Sequence, residues 1–329
     1  MNVAINGLGR IGRATLKIVL NNPAMHLTAV NDVLPAENLA YLLKFDTVYG
    51  RWSREVHAHA GRLTIDGTAY PVLSERDPAK LPWRDMGVDV VFECTGVFTV
   101  REDLVKHIEA GARFVILSAP AKSDDIPTVV HAVNRSQQTP AQIISCASCT
   151  TNCITPIVEI MGRRIGVRKA TMTTIHAYTA NQSIVDSGKK DYRRGRAGAA
   201  NLVPATTGAA IATTRALPEY KGKFDGVAVR APVLVGSLAD IVFLTVRGTS
   251  VEEVNQVFTE EATGDRYRHV LAVTEEPIVS SDIIQQSYAS IVDLSLTQVV
   301  DQDLVKVMSW YDNEWGYANQ MVREALELS

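Results

Sequence analysis

The first 32 residues carry a pattern that few folds accommodate. Asn2-Val3-Ala4-Ile5-Asn6 is an apolar strand, Gly7-Leu8-Gly9-Arg10-Ile11-Gly12 follows at once, and Ala14, Leu16, Ile18, Val19 and Leu20 continue as a helical run. The three glycines have separable duties in such a turn. Gly7 permits the tight bend, Gly9 lets the backbone approach a pyrophosphate, and Gly12 lets helix and strand pack closely. The helix then offers its unpaired N–H groups to phosphate. A second strand, 27–31, ends at Asp32, twenty residues past Gly12. An acid there accepts both ribose hydroxyls of NAD and repels the 2′-phosphate of NADP. The expectation is a dinucleotide-binding α/β unit that uses NAD.

The pattern continues to about residue 148. Apolar strands are expected at 88–92, 113–117, 129–133 and 142–145, with a helix at 103–109. Val/Ile-rich strands with polar residues at their C-terminal ends suit a Rossmann-type doubly wound parallel sheet. Ligands bind beyond those ends, which nominates Gly9, Arg10, Ile11, Asp32, Thr95 and Ser118 as cofactor neighbours. Beyond 148 the texture changes. A helix is followed by longer alternating strands at 168–178, 226–230, 239–246, 288–293 and 304–311, broken by a helix bearing Val251, Val254 and Phe258 on one face. This predicts a catalytic α+β domain, 149–313, with a mixed or antiparallel sheet. Tyr317, Ala318, Met321, Val322 and Ala325 mark a closing helix, 314–329, expected to pack back on the first domain, 1–148.

The chemistry concentrates at the change of texture. Cys149 lies in Ala147-Ser148-Cys149-Thr150-Thr151-Asn152-Cys153, between a strand and the helical run Ile154, Ile157, Val158, Met161. A thiol on the first helical turn is drawn toward thiolate by the positive helix end. His176, in Thr174-Ile175-His176-Ala177-Tyr178-Thr179, is the base that would take its proton. Cys146, Cys149 and Cys153 also have the spacing of cluster ligands. With no fourth cysteine nearby and Ser148, Thr150, Thr151 and Asn152 threaded among them, phosphate binding and helix capping are the better reading, and no metal is expected. The basic run Lys189-Lys190-Asp191-Tyr192-Arg193-Arg194-Gly195-Arg196 reads either as a solvated loop or as an anion site in which Arg194 acts with Thr179, Thr207, Gly208 and Arg230.

Composition excludes several classes. The chain has 329 residues, 46% of them hydrophobic, enough for two cores, and a net charge of −3 that does not suit nucleic acid. It has no signal-peptide layout and no apolar run of membrane-spanning length, so a cytoplasmic protein is expected. Four cysteines in a chain of this length argue against a disulfide scaffold.

Three segments together carry a resemblance. Asn6-Gly7-Leu8-Gly9-Arg10-Ile11-Gly12-Arg13, Ala147-Ser148-Cys149-Thr150-Thr151-Asn152 and Ser309-Trp310-Tyr311-Asp312-Asn313-Glu314-Trp315-Gly316-Tyr317 closely resemble the phosphorylating glyceraldehyde-3-phosphate dehydrogenases, in matching order from residue 1 to the C-terminus. The resemblance implies a two-domain homotetramer. It further implies oxidation of glyceraldehyde 3-phosphate to 1,3-bisphosphoglycerate with NAD and inorganic phosphate, through a thioester on Cys149. His176 is then the partner base. Thr179 and Arg230 match the substrate-phosphate site, and Ser148, Thr150, Arg194, Thr207 and Gly208 match the inorganic-phosphate site. Asn313 matches the residue that holds the nicotinamide carboxamide, and Tyr317 in the same segment is a further cofactor-binding candidate. Two positions depart from the pattern. Ser187-Gly188 replaces a bulky pair such as Leu-Pro and resembles NADP-tolerant members, which makes NADP a secondary cofactor. Val233-Leu234 replaces Thr-Pro. Erythrose-4-phosphate dehydrogenases share the cysteine motif but hydrolyse the acyl enzyme. The stretch from His176 to Ala180 resembles the glycolytic type instead. A non-catalytic NAD-sensing regulator on the same fold would have no use for Cys149, His176 and two phosphate sites.

Overall fold

The computed structural model describes residues 1–135 and 141–328. The chain divides into two compact units. The first comprises Met1–Val129, Ser136–Ala147 and Met321–Ser329, and the second Val130–Arg135 and Ser148–Gln320. Ser329, the last residue of the expected closing helix, lies outside the described residues.

In the first unit, β1 (Asn2–Asn6), α1 (Arg10–Val19) and β2 (His26–Asn31) form the opening βαβ motif. Then come α2 (Ala36–Lys44), the short β3 (Phe45–Asp46) and β4 (Gly50–Arg51), β5 (Val56–His59), β6 (Arg62–Ile65) and β7 (Thr68–Leu73). The unit continues with β8 (Val90–Glu93), α3 (Arg101–Glu109), β9 (Phe114–Leu117) and β10 (Ile143–Ser145). The sheet order is β10-β9-β8-β1-β2-β7-β6-β5. Its first six strands are parallel, and β6 and β5 add on as antiparallel strands. Val3, Ala4, Ile5, Val90, Val91, Phe92, Val115, Ile116 and Leu117 are all fully buried, as a parallel sheet covered on both faces requires. Strand order reverses between β1 and β8, which opens a crevice beyond their C-terminal ends.

The expected strand at 129–133 is not one. Residues 131–134 form a turn, and only Thr128 makes a parallel bridge, to Ser145. Val129, Val130 and Val133 are buried in place, so the apolar run reports burial rather than extended pairing.

The second unit begins with α4 (Cys149–Arg164), β11 (Val167–Ala177), β12 (Val203–Thr206), α5 (Ala209–Ala216), β13 (Phe224–Ala231) and β14 (Ser237–Thr245). It continues through α6 (Val251–Thr263), β15 (Leu271–Thr274), β16 (Ser290–Asp293), β17 (Gln298–Val300) and β18 (Leu304–Tyr311) to α7 (Trp315–Leu326). Its sheet, β12-β13-β11-β14-β18-β16-β15 with β17 beside β18, is mixed. β11 pairs with β13 in parallel and with β14 antiparallel. α4 lies on one face of this sheet, and Cys153, Ile154, Ile157, Val158, Ile160 and Met161 pack there against Met172, Ile241, Phe243, Val305 and Val307. Each large aliphatic side chain so buried contributes about 2 kcal/mol. That packing seats the first turn of α4.

Two glycines in the first unit are fixed by contact. A Cβ on Gly7, whose φ is +91°, would sit 2.6 Å from the Thr95 nitrogen, and a Cβ on Gly12 would sit 2.0 Å from the Gly7 carbonyl oxygen. Neither obstacle can swing away, because both are backbone. Gly12→Ala should therefore separate α1 from β1, lower stability by about 1–3 kcal/mol in urea titration, and weaken binding of NAD. A variant with wild-type stability would show that the helix has room the glycine does not need.

Candidate active site

The second unit builds its reactive centre from strand register. In β11 the residues at period two, Met172, Thr174 and His176, are buried on one face. Parallel pairing sets Arg230 of β13 directly beside His176. The first residue of α4 supplies Cys149, whose Sγ lies 3.4 Å from His176 Nε2. Ser148 caps that helix, its Oγ accepting from Thr151 N at 3.1 Å.

On the other side of the imidazole, Nδ1 lies 2.7 Å from the Ala177 carbonyl oxygen and 2.6 Å from Arg230 Nη1. Arg230 Nη1 also donates to that carbonyl at 3.0 Å. Burial pushes His176 down to about 3, and the Arg230 and Arg194 cations push it the same way, against the carbonyl. The imidazole is thus a neutral base across the working pH range. Burial pushes the Cys149 thiol up, while Arg230, the Thr150 hydroxyl and the backbone N–H groups of Cys149 and Thr150 oppose it. The thiolate is therefore best stabilised at the moment its proton passes to His176, with a guanidinium and a helix end already in place.

Beneath the pair runs a hydrogen-bonded chain that the sequence did not flag. Tyr311 Oη lies 2.9 Å from Thr150 Oγ1 and 2.8 Å from Thr174 Oγ1, and the Tyr311 ring meets His176 edge-on at 5.9 Å between centroids. Tyr311 lies within the closing motif and Thr174 two residues before His176. Alternation along the strand was the available signal for Thr174.

The remaining nominated residues of this unit have mixed surroundings. Arg230 Nε is buried with no hydrogen-bond partner among the described residues. Arg194 is held by Asp191 at 3.2 Å and donates to the Thr206 carbonyl at 2.9 Å. Thr207 Oγ1 accepts from Ala209 N, and Gly208 is the N-cap residue of α5. Thr179 donates to Gln182 Oε1 through both its N–H, at 2.9 Å, and its hydroxyl, at 3.3 Å. Asn313 Oδ1 accepts from Gly236 N and Ser237 Oγ, which leaves Nδ2 as the donor. Tyr317 is buried in α7. Cys153 points away from the pair toward Ser290 and Ser309.

In the first unit a crevice of about 490 Å³ is lined by Asn6, Gly7, Gly9, Asp32, Thr95 and their neighbours. The close approaches at Gly7 and Gly12 and the acid at the end of β2 fit a dinucleotide. Asp32 is oriented by Leu8 N at 2.7 Å and Leu34 N at 2.9 Å. Arg10, Ile11 and Ser118 do not line this crevice. Arg10 is paired with Asp46 at 2.6 Å and lies over Tyr49, Ile11 stands in the first turn of α1, and Ser118 N donates to the Glu93 carbonyl at 3.0 Å.

A crevice that fits a dinucleotide in one unit and a thiol–imidazole pair in the other suit an NAD-linked oxidoreductase. Residues 1–101 match the NAD binding domain of glyceraldehyde 3-phosphate dehydrogenase, and residues 148–313 match its C-terminal domain. The glyceraldehyde-3-phosphate dehydrogenase of Streptomyces coelicolor is 46% identical over 325 residues, 98% of this chain and 96% of its own length. Glyceraldehyde-3-phosphate dehydrogenase 1 of Bacillus subtilis and the enzyme of Geobacillus stearothermophilus are each 46% identical over 324 residues, with the same shares covered. The chain belongs to the glyceraldehyde 3-phosphate dehydrogenase family, and its cofactor is NAD. Among the described residues no helix is long and apolar enough to cross a membrane.

The low value of His176 has a linkage consequence. Below its ordinary value near 6.5 the unfolded chain binds a proton at this residue that the folded chain does not. This stabilisation is complete above pH 6.5 and is lost as pH falls toward 3. Wild-type protein should therefore lose more unfolding free energy than His176→Asn between pH 7 and pH 4. Parallel stability curves from urea titration would contradict a buried neutral imidazole.

Proposed function

We propose that the protein oxidises glyceraldehyde 3-phosphate to 1,3-bisphosphoglycerate with NAD and inorganic phosphate, with the first unit binding NAD and the second carrying the chemistry. The single observation behind this reading is the Cys149–His176 contact at 3.4 Å beside Arg230. His176 takes the Cys149 proton, and the thiolate attacks the aldehyde carbon. The proton passes to the resulting oxyanion, giving a thiohemiacetal. His176 then removes the hydroxyl proton as hydride leaves the same carbon, and a thioester remains on Cys149. NAD supplies the hydride acceptor. Phosphate attacks the thioester, the C–S bond breaks, and His176 returns a proton to the departing sulfur. Sulfur suits both halves, being a strong nucleophile and a good leaving group from an acyl carbon.

Arg230 and Thr179 bind the substrate phosphate. The unpartnered Arg230 Nε supports this, because an N–H buried without an acceptor calls for one from a ligand. Arg194, Thr207, Gly208, Ser148 and Thr150 bind the attacking phosphate, supported by the capped start of α5 and by an Arg194 already oriented by Asp191. Asn313 Nδ2 donates to the nicotinamide carboxamide. Asp32 favours NAD over NADP. The assembly is a homotetramer in the cytoplasm, and the exposed Ile184, Val185 and Tyr192 support self-association.

Mixing enzyme, NAD and glyceraldehyde 3-phosphate without phosphate should give a burst of NADH of about one per active site and then stall at the thioester. Added phosphate should restore turnover. Rapid phosphate-independent turnover releasing free acid would overturn this reading in favour of a hydrolytic dehydrogenase.

The two arginines should separate kinetically. Arg230→Ala should mainly impair use of the phosphorylated aldehyde, and Arg194→Ala should mainly raise the phosphate concentration needed for acyl transfer. Each loss of a charge-assisted contact should cost about 2 kcal/mol, roughly thirtyfold. Identical phenotypes would argue for a single anion site.

A further inference from the structure

A fully buried polar cluster in the first unit adjoins residues that line the dinucleotide crevice. Glu93 and His107 are fully buried, as is Trp83. Trp83 Nε1, which can only donate, lies 3.0 Å from His107 Nδ1. His107 therefore carries its proton on Nε2 and donates to Glu93 Oε2 at 3.1 Å. The same oxygen accepts from Asn6 Nδ2 at 2.5 Å. The other oxygen, Oε1, accepts from Thr95 N at 2.8 Å and from the Thr95 hydroxyl. Four donors fill the lone-pair capacity of a carboxylate and leave no acceptor for a carboxylic proton. Trp83 fixes the tautomer, so that His107 turns a donor toward Glu93.

The consequence falls on Thr95, which lines the crevice. Its only hydroxyl proton is given to Glu93, so the oxygen can accept but not donate. Val97 N uses one lone pair at 3.1 Å. The other is available to a donor on a ligand, such as a sugar hydroxyl or an amide N–H, and is repelled by an unprotonated phosphate oxygen. A second branch reaches other residues that line the crevice. Asn6 Oδ1 accepts from Asn31 Nδ2 at 2.7 Å, and Asn31 in turn holds Glu75 through N→Oδ1 and Nδ2→O contacts of 2.9 Å each.

We propose that Glu93 is a positioning residue for NAD: held through His107 by Trp83, it sets the polarity of the Thr95 hydroxyl so that the crevice accepts a hydrogen bond from the nucleoside part of the cofactor. This rests on NAD as the ligand. A glutamine at 93 that keeps its carbonyl toward His107 and Asn6 turns an NH2 toward Thr95. The hydroxyl must then reverse and offer its proton to the crevice.

The test is NAD binding to the apo protein by isothermal titration calorimetry. Wild type must bind NAD, and failure there would remove the cofactor reading rather than this one. Thr95→Ser should bind within about twofold of wild type, whereas Thr95→Val should bind about tenfold more weakly, the size of one lost hydrogen bond. Glu93→Gln should lose about the same factor, and Glu93→Gln with Thr95→Val should be no weaker than either alone, since both remove one interaction. The rate of Cys149 alkylation should be unchanged throughout, which separates a cofactor effect from general unfolding. Losses that multiply in the double variant would show that Glu93 acts on stability and not through Thr95. If Glu93→Gln does not fold, the Thr95 pair still decides: equal affinity of Thr95→Val and wild type overturns the proposal.

Discussion

A buried imidazole next to a guanidinium cannot readily take on a second positive charge, and the chemistry of the second unit is organised around that constraint. Arg230 is not free to move off, because parallel pairing of β11 with β13 fixes it beside His176. The imidazole stays neutral until a negative charge forms next to it. In the proposed reaction Cys149 provides that charge as it loses its proton, and the oxyanion of the aldehyde adduct provides it again. Arg230 lowers the basicity of His176 and stabilises the thiolate with the same charge. The pair is thereby biased to act in concert, with little thiolate exposed before substrate arrives.

The first unit meets the opposite problem, a buried anion, and solves it with donors instead of a countercharge. Glu93 is surrounded by four donors, and the tautomer of His107 is set by an indole N–H that cannot accept. Burying a carboxylate is costly unless its hydrogen bonds are complete. Once complete, the network has no rotational freedom left, and the side chains facing the crevice inherit that rigidity.

What the sequence made legible follows from how local each signal is. The opening strand, glycine turn, helix and acid are contiguous, so the start of the nucleotide-binding unit could be read almost residue by residue. Cys149 and His176 were legible because each sits at the end of a regular element with a distinctive neighbourhood. The pairing of His176 with Arg230 was not, because parallel register between strands about fifty residues apart leaves no local trace. The strand expected at 129–133 was an error of the same kind. A buried valine run has no period that separates a strand from a packed turn. Arg10 was nominated by its position, but position does not reveal that Asp46 already engages it. Glu93, His107 and Trp83 were invisible for a related reason. Each alone reads as an ordinary core or surface residue, and only the fold brings them together.

The departure at Ser187-Gly188 can be weighed in the same physical terms. A small hydroxylated pair suggests room for an extra phosphate and a donor to meet it. In the fold, Ser187 Oγ lies 2.7 Å from Ser183 Oγ, and Ser187 N donates to the Gly195 carbonyl at 2.8 Å. A Cβ on Gly195 would sit 2.3 Å from the Ser187 carbonyl oxygen, so the two arms of this loop are in close contact. Asp186 tightens the closure by accepting from Arg196 and Ala197 N. The Ser187 hydroxyl is therefore engaged within its own loop, and its smallness is accounted for by the loop's packing. Asp32, with both carboxylate oxygens already oriented by backbone N–H groups, is a fixed charge that needs no rearrangement to repel a 2′-phosphate. Each unit taken by itself is thus consistent with NAD as the cofactor: the Ser187 hydroxyl is engaged within its own loop, and Asp32 presents a carboxylate already oriented by backbone N–H groups.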